Sequence, residues 1–174
     1  MTFRCQLYIV SFALPLLTIG CGGSAPASNA PPAATAAPVA APAVEVHDGR
    51  AVEITANDQM KFDVNEIRAK AGERLSVTLI NNGTMPKFSM GHNWVLLAAD
   101  VSADTFASAA VEAPTTDYMP ASRKGDVLAA TKLLGPAERA TVTFAAPTTP
   151  GRYSFLCSFP GHYQIGMRGV LIVE

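Results

Sequence analysis

Short runs in which apolar and polar residues alternate dominate the chain after residue 43. Leu75, Val77 and Leu79, for example, alternate with polar neighbours and end at the turn-forming residues 81–83, which are Asn-Asn-Gly. Alternation with a period of two is typical of a strand that has one buried face. Runs of this kind centre on residues 52–54, 67–69, 75–79, 94–97, 127–134, 140–144, 153–157 and 170–173. Seven or eight short strands at this spacing predict an all-β protein that folds as an antiparallel sandwich.

One segment does not follow the strand pattern. Residues 102–113 are rich in alanine, begin with Ser102 and are followed by Pro114. A serine before such a run and a proline after it are typical start and stop signals of a helix. We therefore predict a short helix from Ser102 to Ala113, inserted between two strands.

The first 21 residues have the features of an export signal. Arg4 is their only charge, and the following run from Leu7 to Ile19 is mostly apolar but shorter than the roughly 20 residues of a membrane-spanning helix. Small residues then precede Cys21. This pattern resembles a bacterial lipoprotein signal, whose cleavage leaves the cysteine as a lipid-bearing N-terminal residue. A plain signal, cleaved within the next stretch, is the alternative.

Residues 22–43 contain ten alanines, five prolines and no charge. Such a composition buries little apolar surface and predicts a disordered linker. The folded domain is therefore expected to span residues 44–174, held near a membrane by the lipid on Cys21. We expect the protein to be exported and membrane-anchored, facing the periplasm or the cell exterior.

Composition excludes one class of partner. The chain has 174 residues, of which 49% are apolar, enough for one domain with a packed core. Its 13 basic and 14 acidic residues give a net charge of -1. Nucleic-acid-binding proteins instead show a basic patch or stripe, so nucleic acid is not an expected partner.

Soft and borderline metal ligands are concentrated in residues 157–167, which read Cys-Ser-Phe-Pro-Gly-His-Tyr-Gln-Ile-Gly-Met. This segment contains Cys157, His162 and Met167, and His92 upstream supplies a second imidazole. Two histidines and a cysteine with a weak axial methionine form the ligand set of an electron-transfer copper site. Taken singly, each residue has an ordinary alternative: an inert buried thiol, a structural histidine or a core methionine.

The cysteine count supports a free thiolate. Of the three cysteines, Cys5 lies in the signal and Cys21 is lipidated or removed, which leaves Cys157 alone in the domain. A disulfide within the folded domain is therefore impossible. A zinc site is disfavoured, since zinc is usually bound by cysteine, histidine and carboxylate ligands rather than methionine.

Several short motifs resemble the azurins and the related auracyanins. They are Asn-Asp-Gln-Met at 57–60, Met-Gly-His-Asn-Trp-Val-Leu at 90–96, Asp-Tyr at 117–118, Thr-Lys-Leu at 131–133 and Cys-Ser-Phe-Pro-Gly-His at 157–162. The resemblance covers residues 52–174 and implies the cupredoxin fold, a Greek-key β-sandwich with a helical flap. It also implies a one-electron carrier with one copper ion, and not an enzyme.

The resemblance assigns roles to the ligand candidates. His92, Cys157 and His162 are expected to form a trigonal plane, with Met167 axial and the carbonyl of Gly91 approaching from the opposite side. The spacing from His162 to Met167 is five, as in auracyanins and plastocyanins, whereas azurins have four. Azurins also carry a disulfide that this domain lacks.

Residues around the ligands are assigned in the same way. The backbone N–H groups of Asn93 and Phe159 are expected to donate to the Cys157 sulfur, and His162 is expected to show its ring edge to solvent as the electron port. An apolar docking patch around it is expected to comprise Met60, Met90, Phe159, Pro160 and Tyr163. The alternative for each patch member is ordinary core packing.

The expected function is electron transfer between membrane or periplasmic redox partners, such as cytochromes or a respiratory complex. The alternative is a copper-binding protein that buffers or delivers the metal. With three histidines in the whole chain, a multicopper oxidase or a copper nitrite reductase cannot be assembled. A binuclear copper site would need two cysteines in one loop, and a hydrolase motif is not visible.

Overall fold

The computed structural model describes residues 48–174. The predicted signal, residues 1–21 with Cys21, and the predicted linker, residues 22–43, lie outside the described residues. Within 48–174, no helix is long and apolar enough to cross a bilayer. Eight strands form the described domain: β1 Arg50–Ala56, β2 Glu66–Ala69, β3 Arg74–Asn81, β4 Val95–Leu97, β5 Val127–Ala130, β6 Arg139–Ala145, β7 Gly151–Leu156 and β8 Arg168–Val173.

The strands form two sheets, one in the order β1-β3-β6 and one in the order β2-β8-β7-β4-β5. This confirms the predicted all-β sandwich, and all eight apolar runs contain strand residues. The prediction that it is wholly antiparallel is wrong, because β1 pairs with β3, and β2 with β8, in parallel. Alternation marks which face of a strand is buried and carries no information about the direction of its neighbour.

The core lies between the two sheets and is built from the alternating positions. Leu75, Val77 and Leu79 of β3 are fully buried, as the sequence pattern requires. Trp94 is also fully buried, with its ring centroid 5.8 Å from that of Phe144 and 5.6 Å from that of Phe155. Such aromatic pairs add about 0.5–1.5 kcal/mol each beyond the area they bury. Cys157 and Met167 belong to the same buried cluster.

The predicted inserted helix is confirmed as α2, Ala103–Val111; a one-turn helix, α1, Lys87–Met90, precedes it. The Ser102 hydroxyl accepts a hydrogen bond from the Thr105 N–H, 3.3 Å away, and so caps α2. Phe106 of α2 is fully buried and packs in a second cluster with Val95 and Leu97 of β4. Both faces of β4 are therefore covered, which explains its uninterrupted apolar sequence. Two 3₁₀ segments, Pro114–Thr116 and Ala121–Asp126, complete the insertion.

Candidate metal centre

The Cys157–Met167 segment is the connection between the antiparallel strands β7 and β8. Cys157 follows β7 directly, Met167 precedes β8 directly, and the Cys157 N–H donates to the Met167 carbonyl over 3.1 Å. The Met167 N–H donates to the His162 carbonyl over 2.9 Å. Gly161 and Gly166 have φ values of +84° and +99°, where a side chain would be strained. Residues 157–167, which we call the ligand loop, therefore bring their cysteine, histidine and methionine to one end of the sheet.

His92 is fixed by a bridge that the sequence pattern did not predict. Its N–H donates to the Leu134 carbonyl over 3.1 Å, and the Leu134 N–H donates to the His92 carbonyl over 2.7 Å. The predicted strand over 127–134 is thus too long: β5 ends at Ala130, and the remaining residues form a separate support for His92. The Thr131 hydroxyl accepts a hydrogen bond from the Trp94 N–H over 3.0 Å, which ties the same segment to the residues that follow His92.

Three donor atoms of the predicted ligands converge. The Nδ1 atoms of His92 and His162 are 3.2 Å apart, and the Cys157 Sγ lies 3.5 Å from the His162 Nδ1. All three side chains are buried, and their donor atoms lie within 4.8 Å of one another. Ligands held at about 2.0–2.3 Å from one metal ion are roughly 3.3–3.8 Å apart, so the spacing fits a shared ion. One soft sulfur and two imidazoles suit copper in particular.

Two further predicted ligands flank this group. Met167 is fully buried in the same cluster as Cys157. The Gly91 carbonyl oxygen is 4.0 Å from the Cys157 Sγ. A Cβ atom on Gly91 would lie 2.7 Å from the Lys87 carbonyl oxygen and 2.9 Å from the Leu133 side chain, so only glycine fits between them. In residues 48–174, no other group of three or more histidine, cysteine or acidic side chains has this spacing.

Burial keeps the three donors uncharged in the metal-free protein. It raises the pKa of the Cys157 thiol to about 12, while the N–H groups of Asn93 and Phe159, bonded to the sulfur, act in the opposite direction. Burial, followed by the charge of His92, lowers the pKa of His162 to about 4. Burial also lowers the pKa of His92. The Asn57 carbonyl and the Asp58 carboxylate raise that pKa, but their effect is smaller than that of burial. Both imidazoles are therefore neutral and able to bind metal at neutral pH, whereas the thiol must lose a proton.

A buried clamp that the sequence reasoning missed joins the two ligand-bearing segments. The Ser158 N–H donates to the Asn93 Oδ1 over 2.8 Å, and the Asn93 Nδ2 donates to the Ser158 Oγ over 2.8 Å. Ser158 is 1% exposed. A polar residue inside an otherwise apolar, buried run was the available signal, since a buried hydroxyl needs a partner.

The predicted docking patch is partly at the surface and partly in the core. Phe159 is 8% exposed, and its ring centroid lies 4.9 Å from that of Tyr118 and 4.7 Å from that of His162. It therefore packs behind the histidine and offers little docking area. The other predicted members are half-buried: Met60, Met90, Pro160 and Tyr163.

His162 itself is only 3% exposed, so its ring edge is almost covered. The sequence reasoning also missed two exposed apolar side chains, one on the helix that carries Met90 and one in the ligand loop. Phe88, on the same short helix as Met90, is 83% exposed, and Ile165, in the ligand loop, is 45% exposed. Exposed apolar side chains are common singly and give no sequence signal of their own.

Proteins of Neisseria and Pseudomonas are similar in sequence to this chain. Outer membrane protein H.8 of Neisseria meningitidis serogroup B is 39% identical over 126 residues, which cover 71% of this chain and 68% of that protein. Azurin from Pseudomonas chlororaphis is 36% identical over 128 residues, covering 71% of this chain and 97% of the azurin.

Two solved auracyanin structures are similar to this chain in both fold and sequence. Reduced auracyanin from Roseiflexus castenholzii is 36% identical, with a TM-score of 0.60 over 71% of this chain and 96% of the auracyanin. Auracyanin A from Chloroflexus aurantiacus, described as a "blue" copper protein, is 31% identical, with a TM-score of 0.63 over 71% of this chain and 98% of its own. Residues 49–174 match the family described as copper binding proteins, plastocyanin/azurin family. The chain therefore belongs to the plastocyanin/azurin family of copper-binding proteins, the cupredoxins.

Proposed function

We propose that the chain carries single electrons, using one copper ion of the type 1 kind. His92, Cys157 and His162 would hold the ion, the Met167 thioether would be a further ligand, and the Gly91 carbonyl oxygen would lie beside the site. The observation that carries this proposal is the convergence of two imidazole nitrogens and one thiol sulfur, all buried and within 4.8 Å.

The surrounding residues suit a site that keeps its shape while its charge changes. When bound, copper would supply a one-electron couple. The protein would contribute rigidity, because the Cys157–Met167 and His92–Leu134 backbone pairs and the buried Asn93–Ser158 clamp hold the ligand-bearing segments in place. Burial excludes water from the donors, and hydrogen bonds from the N–H groups of Asn93 and Phe159 would tune the sulfur.

We propose that electrons enter and leave near His162, through the docking patch formed by Met60, Met90, Pro160 and Tyr163. These side chains are half-buried, so they present apolar surface without lying wholly in the core. Phe159 would support the patch from behind through its contact with His162. Because the net charge is only -1, long-range electrostatic attraction of a partner is weak. This favours docking through apolar contact.

The proposed partners are redox proteins such as cytochromes or a respiratory complex, reached from a membrane anchor. The anchor would be a lipid on Cys21, joined to the domain by residues 22–43, which would place the domain in the periplasm or at the cell exterior. The name of the relative H.8, an outer membrane protein, supports a place in the cell envelope.

Voltammetry and metal exchange on the purified, copper-loaded protein test the function. An electron carrier should show a reversible one-electron couple and retain copper against a competing chelator in both oxidation states. Ready release of copper to the chelator, with no reversible couple, would instead indicate copper buffering or delivery.

A further inference from the structure

The part of the ligand loop between His162 and Met167, residues 163–166, is held mainly by its own backbone. The Ile165 N–H donates to the Gly161 carbonyl over 3.3 Å, and the Gly166 N–H donates to the Tyr163 carbonyl over 3.0 Å. We call residues 163–166 the loop tip. Among residues 48–174, two hydrogen bonds reach the loop tip from outside the loop: the Arg168 N–H, at the start of β8, donates to the Gly166 carbonyl over 2.9 Å, and Lys61 Nζ donates to the Ile165 carbonyl over 3.0 Å. Of these two, only the Lys61 bond is made by a side chain.

Lys61 is well placed to hold this carbonyl because its own backbone is fixed on both sides. Met60, before it, has a φ of +56° and its N–H donates to the Asn57 carbonyl over 2.9 Å. Phe62, after it, is buried and its ring centroid lies 5.9 Å from that of Phe155. A side chain that extends from an ordered backbone loses less conformational entropy when it makes a hydrogen bond.

The loop tip is shaped to receive the lysine. A Cβ atom on Gly166 would lie 3.1 Å from the Lys61 Nζ, and the φ of Gly166 is +99°. Glycine at this position therefore permits both the turn and the close approach of the ammonium group. No carboxylate of residues 48–174 forms a salt bridge with Lys61 within 4 Å, so no ion pair in that part of the chain competes with the Ile165 carbonyl for the ammonium group.

We propose that Lys61 is a positioning residue of the metal centre, which fixes the loop between His162 and Met167 and raises the reduction potential of the site. Reduction adds one negative charge to the centre, and a nearby cation stabilises the state that has the extra negative charge. Losing the cation should therefore lower the potential. This inference rests on the proposed function, since it concerns the same one-electron couple.

Three substitutions of Lys61 distinguish the effect of its hydrogen bond to the Ile165 carbonyl from the effect of its positive charge. Lys61→Met removes both and should lower the reduction potential most. Lys61→Gln keeps a donor but loses the charge and should give an intermediate decrease, whereas Lys61→Arg should stay close to the wild type. Added salt should shrink the difference between the wild type and Lys61→Met, because exposed charges are screened.

Lys70→Met is the matched control. Lys70 is an exposed lysine directly after β2, whose last residue Ala69 pairs with Val173, at the end of β8 remote from Met167. Its removal changes the net charge by the same amount and should leave the potential unchanged. An equal shift in both Met variants, or no shift in Lys61→Met, would overturn the electrostatic part of the proposal.

Hydrogen exchange of the copper-free protein tests the positioning role without the metal. The amides of Ile165, Gly166 and Met167 should exchange several-fold faster in Lys61→Met than in the wild type, while the amides of β3 keep their rates. Unchanged loop rates would overturn the positioning role. If the copper-loaded wild type has no reversible couple, the proposed function fails along with the claim about the potential, yet the exchange result still decides whether Lys61 holds the loop.

Discussion

Asn93 holds Ser158 by two hydrogen bonds of 2.8 Å, one to its backbone N–H and one to its hydroxyl. Both residues are buried, and each directly follows a proposed copper ligand, His92 in one case and Cys157 in the other. The clamp therefore joins two ligand-bearing segments that are 65 residues apart in the chain. It should stabilise the fold and the site geometry together.

Breaking the clamp is expected to lower stability. Asn93→Ala leaves the Ser158 N–H without its acceptor, and a buried unpaired group costs about 1–3 kcal/mol. We expect the free energy of unfolding of the copper-free protein, measured in urea, to fall by at least that amount. Ser108→Ala, on the exposed face of α2, is the control and should change it by less than about 0.5 kcal/mol. Equal stability of the two variants would mean that the clamp contributes nothing.

The sequence pattern predicted the strands and the inserted helix because both depend on local periodicity. Leu75, Val77 and Leu79 are buried as their alternation requires, and Ser102 caps α2. The residue types of the metal centre could also be predicted from the sequence, because a cysteine, a histidine and a methionine at short spacing in one loop are a ligand combination that copper prefers.

Features that depend on distant partners were not predictable. Strand direction in the β1–β3 pair is set by the chain's path between the sheets, and alternation is the same for both directions. The apolar pattern predicts a strand that extends to Leu134, whereas Leu134 forms an isolated bridge with His92. The resemblance assigns Phe159 to the docking patch, whereas Tyr118 of the insertion packs against its ring, and Phe159 is buried. No single-sequence pattern encodes such contacts.

The colour of the copper-loaded protein should depend on Cys157. Cys157→Ser replaces a soft sulfur with a hard oxygen, so the intense visible absorption expected from sulfur-to-copper charge transfer should disappear. Absorption spectra of the wild type and the variant after copper loading check this, with circular dichroism to show that the fold is retained. A variant that is folded and equally coloured would contradict the assignment of Cys157.

The stability of the copper-free protein should be greatest between about pH 6.5 and 9. Burial holds the pKa of His162 at about 4, below the ordinary 6.5, and also lowers the pKa of His92. As the pH falls from 6.5 to 4, the unfolded chain binds protons that the native protein does not, so stability decreases. Burial raises the pKa of Cys157 from 9.0 to about 12, so stability also decreases as the pH rises above 9.

Urea unfolding at a series of pH values measures this profile. The double variant His92→Gln/His162→Gln should have a flatter profile between pH 4 and 6.5, and Cys157→Ser should have a flatter profile above pH 9. An acidic slope that survives in the double variant would show that other groups cause it.

Membrane attachment should depend on Cys21, which lies outside the described residues. A multiply acylated cysteine anchors a protein stably, whereas a single acyl chain binds only marginally. Cys21→Ser should therefore move the protein from the membrane fraction to the soluble fraction and leave the copper spectrum unchanged. Fractionation with detection by antibody measures the distribution. Wild-type protein found wholly in the soluble fraction would favour the plain signal instead.

Partner exchange should depend on the half-buried methionines of the docking patch. Met60→Glu or Met90→Glu places a charge on an apolar contact surface, and burying an unpaired charge in the docked complex is costly. We expect slower electron self-exchange, measured by NMR line broadening, at low and moderate ionic strength alike, because salt does not screen the loss of apolar contact. The copper spectrum should stay nearly the same. Reduction by a small uncharged reagent should also be unaffected, since it needs no extended surface.

Val111→Glu is the matched control, because Val111 lies on α2 and is 44% exposed outside the docking patch. It adds the same charge, so it should leave self-exchange close to the wild-type rate. If all three variants exchange at that rate, contact occurs on another surface, and the exposed Phe88 becomes the next residue to substitute. If the methionine variants lose copper, Met60 and Met90 act as core residues, and their half-buried side chains support the ligands and not a partner.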